Sequence, residues 1–246
     1  RDVALKWTNS LRQNQFNTNH HDIGFVMNCS YGNAYRLTGD TTFKAILIQS
    51  AKSLLTRFNP KVGAIKSWDV FPSWDGKHTY EFPVIIDNMM NLELLFAASK
   101  LSGDPSFREI AISHADKTCA EQFRADGSSY HVIDYSLEDG SVRNRHTAQG
   151  YSHESAWSRG QAWAIYGFTL CYRETGDQKY LDQALKAFDF MRNHKNRPED
   201  LIPYWDMDAP EIPNEYRDAS SAAIMASALY EISTMDVKDP QQYKEY

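Results

Sequence analysis

The sequence predicts an all-α fold in which nearly uncharged inner helices alternate with charged outer ones, as a toroid or a solenoid. Three observations carry this: a turn repeated along the chain, two helical segments around each copy, and a consistent difference in polarity between those segments. The turn reads "RLTGDTTF" (Arg36 to Phe43), "KLSGDPSF" (Lys100 to Phe107) and "RETGDQKY" (Arg173 to Tyr180), with a looser copy in "MDVKDPQQY" (Met235 to Tyr243). Each Gly follows a helical pattern, as a left-handed C-terminal stop would, and the Asp after it can cap the next helix.

The segments before the turns are almost free of charge: "DIGFVMNCSYGNAY" (Asp22 to Tyr35), "VIIDNMMNLELLFAAS" (Val84 to Ser99), "QAWAIYGFTLCY" (Gln161 to Tyr172) and "DASSAAIMASALY" (Asp218 to Tyr230). Those after the turns, from Phe43, Phe107 and Tyr180 onward, carry a charge every few residues. Uncharged helices belong inside and amphipathic ones outside. Long loops rich in Trp, Pro, Gly and His separate the units, at Asn59 to Pro83 and Asp126 to Ser158, with short strands expected around "SSYHVIDY". Loops of that length in a compact domain are usually functional.

Composition excludes several classes. The 246 residues carry a formal charge of −6 with acids and bases interleaved, so the basic footprint of a nucleic-acid binder is missing. No apolar run is long enough to cross a membrane. Both ends read as helices cut short, so the sequence is expected to be a piece of a longer chain. Residues 1–246 are expected to belong to one domain, incomplete at both ends. Cys29, Cys119 and Cys171 lie far apart in apolar stretches and are expected to be buried thiols.

Aligning the units on their turns brings out one constellation. Asp22 lies 17 residues before Gly39, Asp87 lies 16 before Gly103, Arg159 lies 17 before Gly176, and Asp218 lies 18 before Asp236. Equivalent positions on parallel inner helices converge at one end of the ring, so three carboxylates and a guanidinium crowd together beside the long loops. The carboxylates could be plain helix caps. Arg159 fits that reading poorly, because a cation at a helix N-terminus opposes the dipole and calls for a carboxylate or an anionic ligand; a pure salt-bridge network stays open. Trp68, Trp74, Trp157, Trp163, His131, His153 and Gln149 fall in the loops or at the helix starts, where flat rings with polar edges suit sugar faces or simply core packing. "HHD" at His20 to Asp22 and "HE" at His153 invite a metal, but HExxH and paired-Cys spacings are absent, and neither metal nor cofactor is expected. No phosphate loop or nucleophile elbow occurs.

"SHESAWSRGQAWAIYGF" (Ser152 to Phe168), "HDIGF", "IIDNMMNLELL" (Ile85 to Leu95) and "TAQGY" (Thr147 to Tyr151) resemble the unsaturated glucuronyl hydrolases of glycoside hydrolase family 88 over nearly the whole chain. The resemblance implies an (α/α)6 barrel with a hairpin missing at each end. It implies Asp87 as general acid and base, Asp22 as the second essential carboxylate, and His131, Gln149, Arg159, Trp163 and Trp74 lining the subsite for the terminal sugar. It further implies a small unsaturated oligosaccharide as substrate, with hydration of the C4=C5 enol ether of its 4-deoxy uronate in place of attack at the anomeric carbon. Such an acid must stay protonated near neutral pH, which burial and a nearby anion achieve; Asp22 is the expected anion. Arg159 is expected at the pocket, offsetting its charge through Asp22. The competing readings are an unsaturated rhamnogalacturonyl hydrolase, another barrel glycosidase, and a non-catalytic helical scaffold.

Overall fold

The computed structural model describes residues 2–69, 72–73 and 75–246. After α1 (Asp2–Ser10) and a 3-10 turn (Arg12–Phe16), the first inner helix runs as α2 (Ile23–Met27), a π-helical segment (Asn28–Gly32) and α3 (Asn33–Thr38). Outer helix α4 (Thr42–Leu55) turns back against it. A small ladder, β1 (Phe58–Asn59) with β2 (Ala64–Ile65), precedes β3 (Phe82–Ile85), a 3-10 turn (Ile86–Asn91) and the second inner helix α5 (Leu92–Ser102). Then come outer helix α6 (Pro105–Glu121) and strands β4 (Val132–Tyr135) and β5 (Val142–His146). The third hairpin is α7 (Ser158–Thr175) with α8 (Gln178–Asn193), and the fourth is α9 (Ala219–Ile232) followed by α10 (Gln241–Glu245).

The fold is all-α, as the polarity pattern implies. The inner helices pack side by side in the order α2, α5, α7, α9, and one apolar core runs through the hairpins, from Met27 and Leu47 to Phe168, Phe188 and Leu229. The repeated turn does what its sequence requires. Gly39, Gly103 and Gly176 take φ of 70°, 77° and 71°, and each N–H closes on the carbonyl four residues back at 2.8 Å. Asp104 and Asp177 then accept from the backbone of Ser106 and Lys179, capping α6 and α8. The looser fourth copy lacks the glycine, and Asp239 carries the positive φ instead.

Two expectations need correcting. The second inner helix does not begin at Val84. Val84 and Ile85 belong to β3, which pairs antiparallel with β4, and β4 pairs in turn with β5. The strand delivers the chain into a 3-10 turn before α5, so Asp87 sits on a tight turn and not on an α-helix. The cysteines are all free, but only Cys171 is buried; Cys119 is half-buried, and Cys29 is exposed in the π-helical segment.

Close packing holds the turn that carries Asp87. A methyl group added at Gly24 of α2 would stand 2.8 Å from the backbone of Asn91, and one at Gly167 of α7 would land on Met89. The helices on either side of this turn therefore touch it through hydrogen alone.

Away from that end, Arg173 ties three inner helices together. Its guanidinium reaches both oxygens of Glu231 (2.9 and 3.0 Å) on α9 and Glu93 (2.7 Å) on α5, while Tyr166 donates to the other Glu93 oxygen at 3.0 Å. Arg173→Met takes the guanidinium away from Glu93 and Glu231, and from Glu174 at 3.3 Å. It is expected to lower unfolding free energy by about 1–2 kcal/mol, since multidentate charge-assisted bonds exceed ordinary surface pairs. Urea titration checks this, and the loss should shrink as salt is added.

Candidate active site

The predicted constellation converges. Asp87 is 9% exposed on its 3-10 turn at the head of α5. Its carboxyl is pushed up from 3.8 to about 7, chiefly by burial; a backbone N–H opposes this, the charge of Asp22 adds to it, and Arg159 lowers it slightly. The buried amides of the same turn bolt it down: Asn88 donates to the Ile65 carbonyl (2.7 Å), and Asn91 accepts from Phe25 N–H (2.8 Å). Asp22 stands at the head of α2 with its side chain 44% exposed and makes no capping bond. The plain-cap reading therefore fails for Asp22 and Asp87. It holds for Asp218, which accepts from Ser221 N–H at 2.8 Å and caps α9.

Arg159 answers to Asp218 and not to Asp22. Its Nε donates to Asp218 Oδ2 at 3.0 Å, and its guanidinium lies over the Trp157 ring at 5.3 Å. The reason is adjacency: α7 and α9 pack directly on each other, so the first turn of one meets the cap of the other. The side chain is 42% exposed, and neither Nη has a protein partner among the described residues.

His131 begins the segment leading into β4 and is held from several sides. Its carbonyl accepts from Ile86 N–H (3.0 Å) and from the amide of the buried Gln122 (3.0 Å). Its Nδ1 accepts from the backbone N–H of Ala148 and of Gln149, both at 3.1 Å. Burial lowers the ring to about 3, so it is neutral, and the two donors at Nδ1 place the proton on Nε2. That N–H faces Asp87 Oδ2 across 3.6 Å. Trp157 packs on the ring with centroids 4.4 Å apart.

The segment carrying Gln149 is braced by Asp206, which accepts from Tyr151 N–H (2.9 Å) and Ser155 Oγ (2.7 Å). The Gln149 side chain projects into solvent. Trp163 is buried, edge-on to Phe25 at 5.4 Å and to Tyr166 at 5.8 Å. Trp74 lies outside the described residues. His153 is stacked on His146 at 4.1 Å, and its Nδ1 accepts from Thr147 N–H at 3.1 Å.

Sequence reasoning missed what surrounds Asp22. His21 is buried and neutral, lowered to about 4 chiefly by burial, with Nε2 3.2 Å from Asp22 Oδ1, and Ser67 stands behind it. Buried Arg57 binds the carbonyls of Thr18 and Lys66 together with Asp69, pinning the strand of chain that delivers His20 to Asp22. The signal in the sequence is "HHD" itself, a motif that points first to metals and only then to a hydrogen-bonded carboxylate.

Comparison with known proteins places this arrangement. The family model described as Glycosyl Hydrolase Family 88 matches residues 1–244. The chain belongs to that family. Among its family 88 relatives, an unsaturated glucuronyl hydrolase of Formosa agariphila is 47% identical over 232 residues, covering 94% of this chain and 57% of its own length. One from a Bacillus species is 36% identical over 250 residues, covering 99% and 64%. A crystal structure of an unsaturated glucuronyl hydrolase described as specific for heparin superposes with a TM-score of 0.93 at 46% identity, covering 99% of this chain and 64% of that one. The chain thus spans about three fifths of these family 88 proteins, and the (α/α) barrel is their shared architecture.

Proposed function

We propose that the protein removes the 4,5-unsaturated uronic acid from the non-reducing end of lyase-generated oligosaccharides by hydrating its C4=C5 enol ether, within a single catalytic domain to which residues 1–246 belong. The observation that carries this reading is the buried Asp87 carboxyl, held near 7 within the field of the Asp22 carboxylate and facing the His131 N–H. In this reading Asp87 delivers its proton to C4, and the positive charge that develops at C5 is captured by water. The resulting hemiketal opens and releases the remaining sugar.

The surroundings suit each step. Before proton transfer, burial and the anion of Asp22 keep the acid protonated near neutral pH. Afterwards the Nε2–H of His131 and the field of Arg159 steady the new carboxylate, while burial and the Asp22 anion keep it basic enough to take a proton from the attacking water. The Nη groups of Arg159, which have no partner among the described residues, are donors for the substrate's carboxylate, with Trp163 and Gln149 as further lining.

The test uses unsaturated disaccharides from chondroitin, hyaluronan, heparin and gellan digests, with loss of the ultraviolet band of the conjugated uronate as readout. In heavy water deuterium should enter at C4, and labelled oxygen should enter at C5. Label at C1 would instead indicate ordinary glycoside hydrolysis.

Two lining residues should respond differently. Gln149→Ala, on an exposed side chain, is expected to raise KM severalfold and leave stability within about 0.5 kcal/mol. Trp163→Ala removes a buried ring wedged against Phe25 and Tyr166, so it should cost roughly 3 kcal/mol of stability as well as activity. Equal stability losses in the two variants would remove Gln149 from the lining.

A further inference from the structure

We propose that His20 and His21 grip Asp22 from both sides, each presenting one N–H to one carboxylate oxygen, and so act as positioning residues that fix this anion opposite Asp87. The proposal rests on the reading of Asp22 and Asp87 as the catalytic pair.

The tautomers follow from what stands behind each ring. Asn17 Oδ1 is taken by Asn19 N–H at 2.9 Å, which turns Asn17 Nδ2 toward His20 Nε2 at 3.0 Å. Facing a donor, His20 Nε2 must accept, and the ring proton lies on Nδ1, 3.5 Å from Asp22 Oδ2. For His21 the logic runs through Ser67. The Ser67 hydroxyl oxygen accepts from Ile85 N–H at 2.9 Å, so its own hydrogen is directed to His21 Nδ1 at 3.3 Å. The His21 proton is then on Nε2, 3.2 Å from Asp22 Oδ1. Both of these nitrogens are buried and have no strict hydrogen-bond partner among the described residues, so the Asp22 oxygens at 3.5 and 3.2 Å are the acceptors on which they can close. The Asn88 side chain is also within hydrogen-bonding reach of His21, and Arg57, His20, His114 and His131 are the other charged or titratable groups near it. Neither Arg57 nor His114 competes for Asp22.

Ser67 also links the two carboxylates. Its oxygen holds Ile85, the residue that leads into the turn of Asp87, while its hydrogen sets the tautomer of His21. The position of one acid is thereby keyed to that of the other.

Isosteric replacement provides the test, because Asn carries an amide where Nδ1 stands and Gln carries one where Nε2 stands. His20→Asn should stay within about twofold of the parent kcat, whereas His20→Gln and His20→Leu should fall about tenfold, the loss of one hydrogen bond to a charged group. At His21 the order reverses, with Gln retaining activity and Asn losing it. His21 is buried and its variants are at risk of misfolding, so the half-exposed His20 pair decides the matter on activity. Histidine nitrogen-15 spectra of the intact protein give a readout independent of turnover: His20 in the Nδ1–H form and His21 in the Nε2–H form. The His20 preference should be lost in Asp22→Asn. His20 in the Nε2–H form, or equal kcat for His20→Asn and His20→Gln, overturns the proposal. The expected tautomers without turnover of any unsaturated disaccharide would uphold the grip on Asp22 and sink the catalytic reading instead.

Discussion

Asp87→Asn should abolish turnover, by roughly 10²–10⁴-fold or more, and yet yield a protein more stable than its parent at pH 8. The amide is nearly isosteric but has no proton to deliver. The gain in stability follows from the sign of the shift. Folding raises the Asp87 carboxyl from 3.8 to about 7, chiefly through burial. Between those values the folded state holds a proton that the unfolded chain releases, so this group's contribution to stability falls as pH rises from about 4 to about 7 and stays lost above. At 1.36 kcal/mol per pH unit the penalty amounts to roughly 4 kcal/mol at pH 8. Asn does not titrate and escapes it. Urea unfolding of parent and variant at pH 4 and pH 8 checks the point: the curves should nearly coincide at the lower pH and separate at the higher. A variant no more stable than the parent at pH 8 would mean that the carboxyl is not held protonated by the fold. Under the proposed mechanism the same shift should set the alkaline limb of the parent's activity near pH 7, where the proton meant for C4 is lost.

Trp157→Ala should be the most damaging of the substitutions outside the carboxylates. The ring is 4% exposed, packs on His131, lies close over Gly160 and carries the guanidinium of Arg159 on its face. Truncating a buried Trp costs about 3–5 kcal/mol. Activity should fall further than stability explains, because His131 and Arg159 both lose the surface that orients them. The checks are kcat and unfolding free energy measured on the same preparation. A variant that keeps kcat in its folded fraction would show that His131 is oriented by its hydrogen bonds alone.

Sequence spacing makes the convergence of Asp22, Asp87, Arg159 and Asp218 legible, because a repeat that ends at the same glycine turn also fixes the level of its first residue. It does not say which neighbour Arg159 reaches. That depends on how α7 and α9 press together, and the partner is Asp218. Nor does it place Asp87 off the helix. The segment "VIID" has helical polarity, yet Val84 and Ile85 are claimed by β4, a partner nearly fifty residues away. Tautomers are further out of reach. "HHD" names the donors of the Asp22 site, but Asn17, Ser67 and Ile85, which decide where their protons lie, are scattered along the chain.

The glycines around the Asp87 turn set a ceiling on how far this scaffold can be strengthened. Exchanging a helical Gly for Ala ordinarily gains about 0.5–1 kcal/mol, which makes it a ready route to a more heat-resistant enzyme. At Gly24 and Gly167 that route is closed, because the added carbon would displace Asn91 or Met89 and with them the acid between. Selection for heat tolerance must act elsewhere, on the outer helices and the salt links around Arg173. The helices that flank Asp87 keep their weakest residues as a condition of holding its turn.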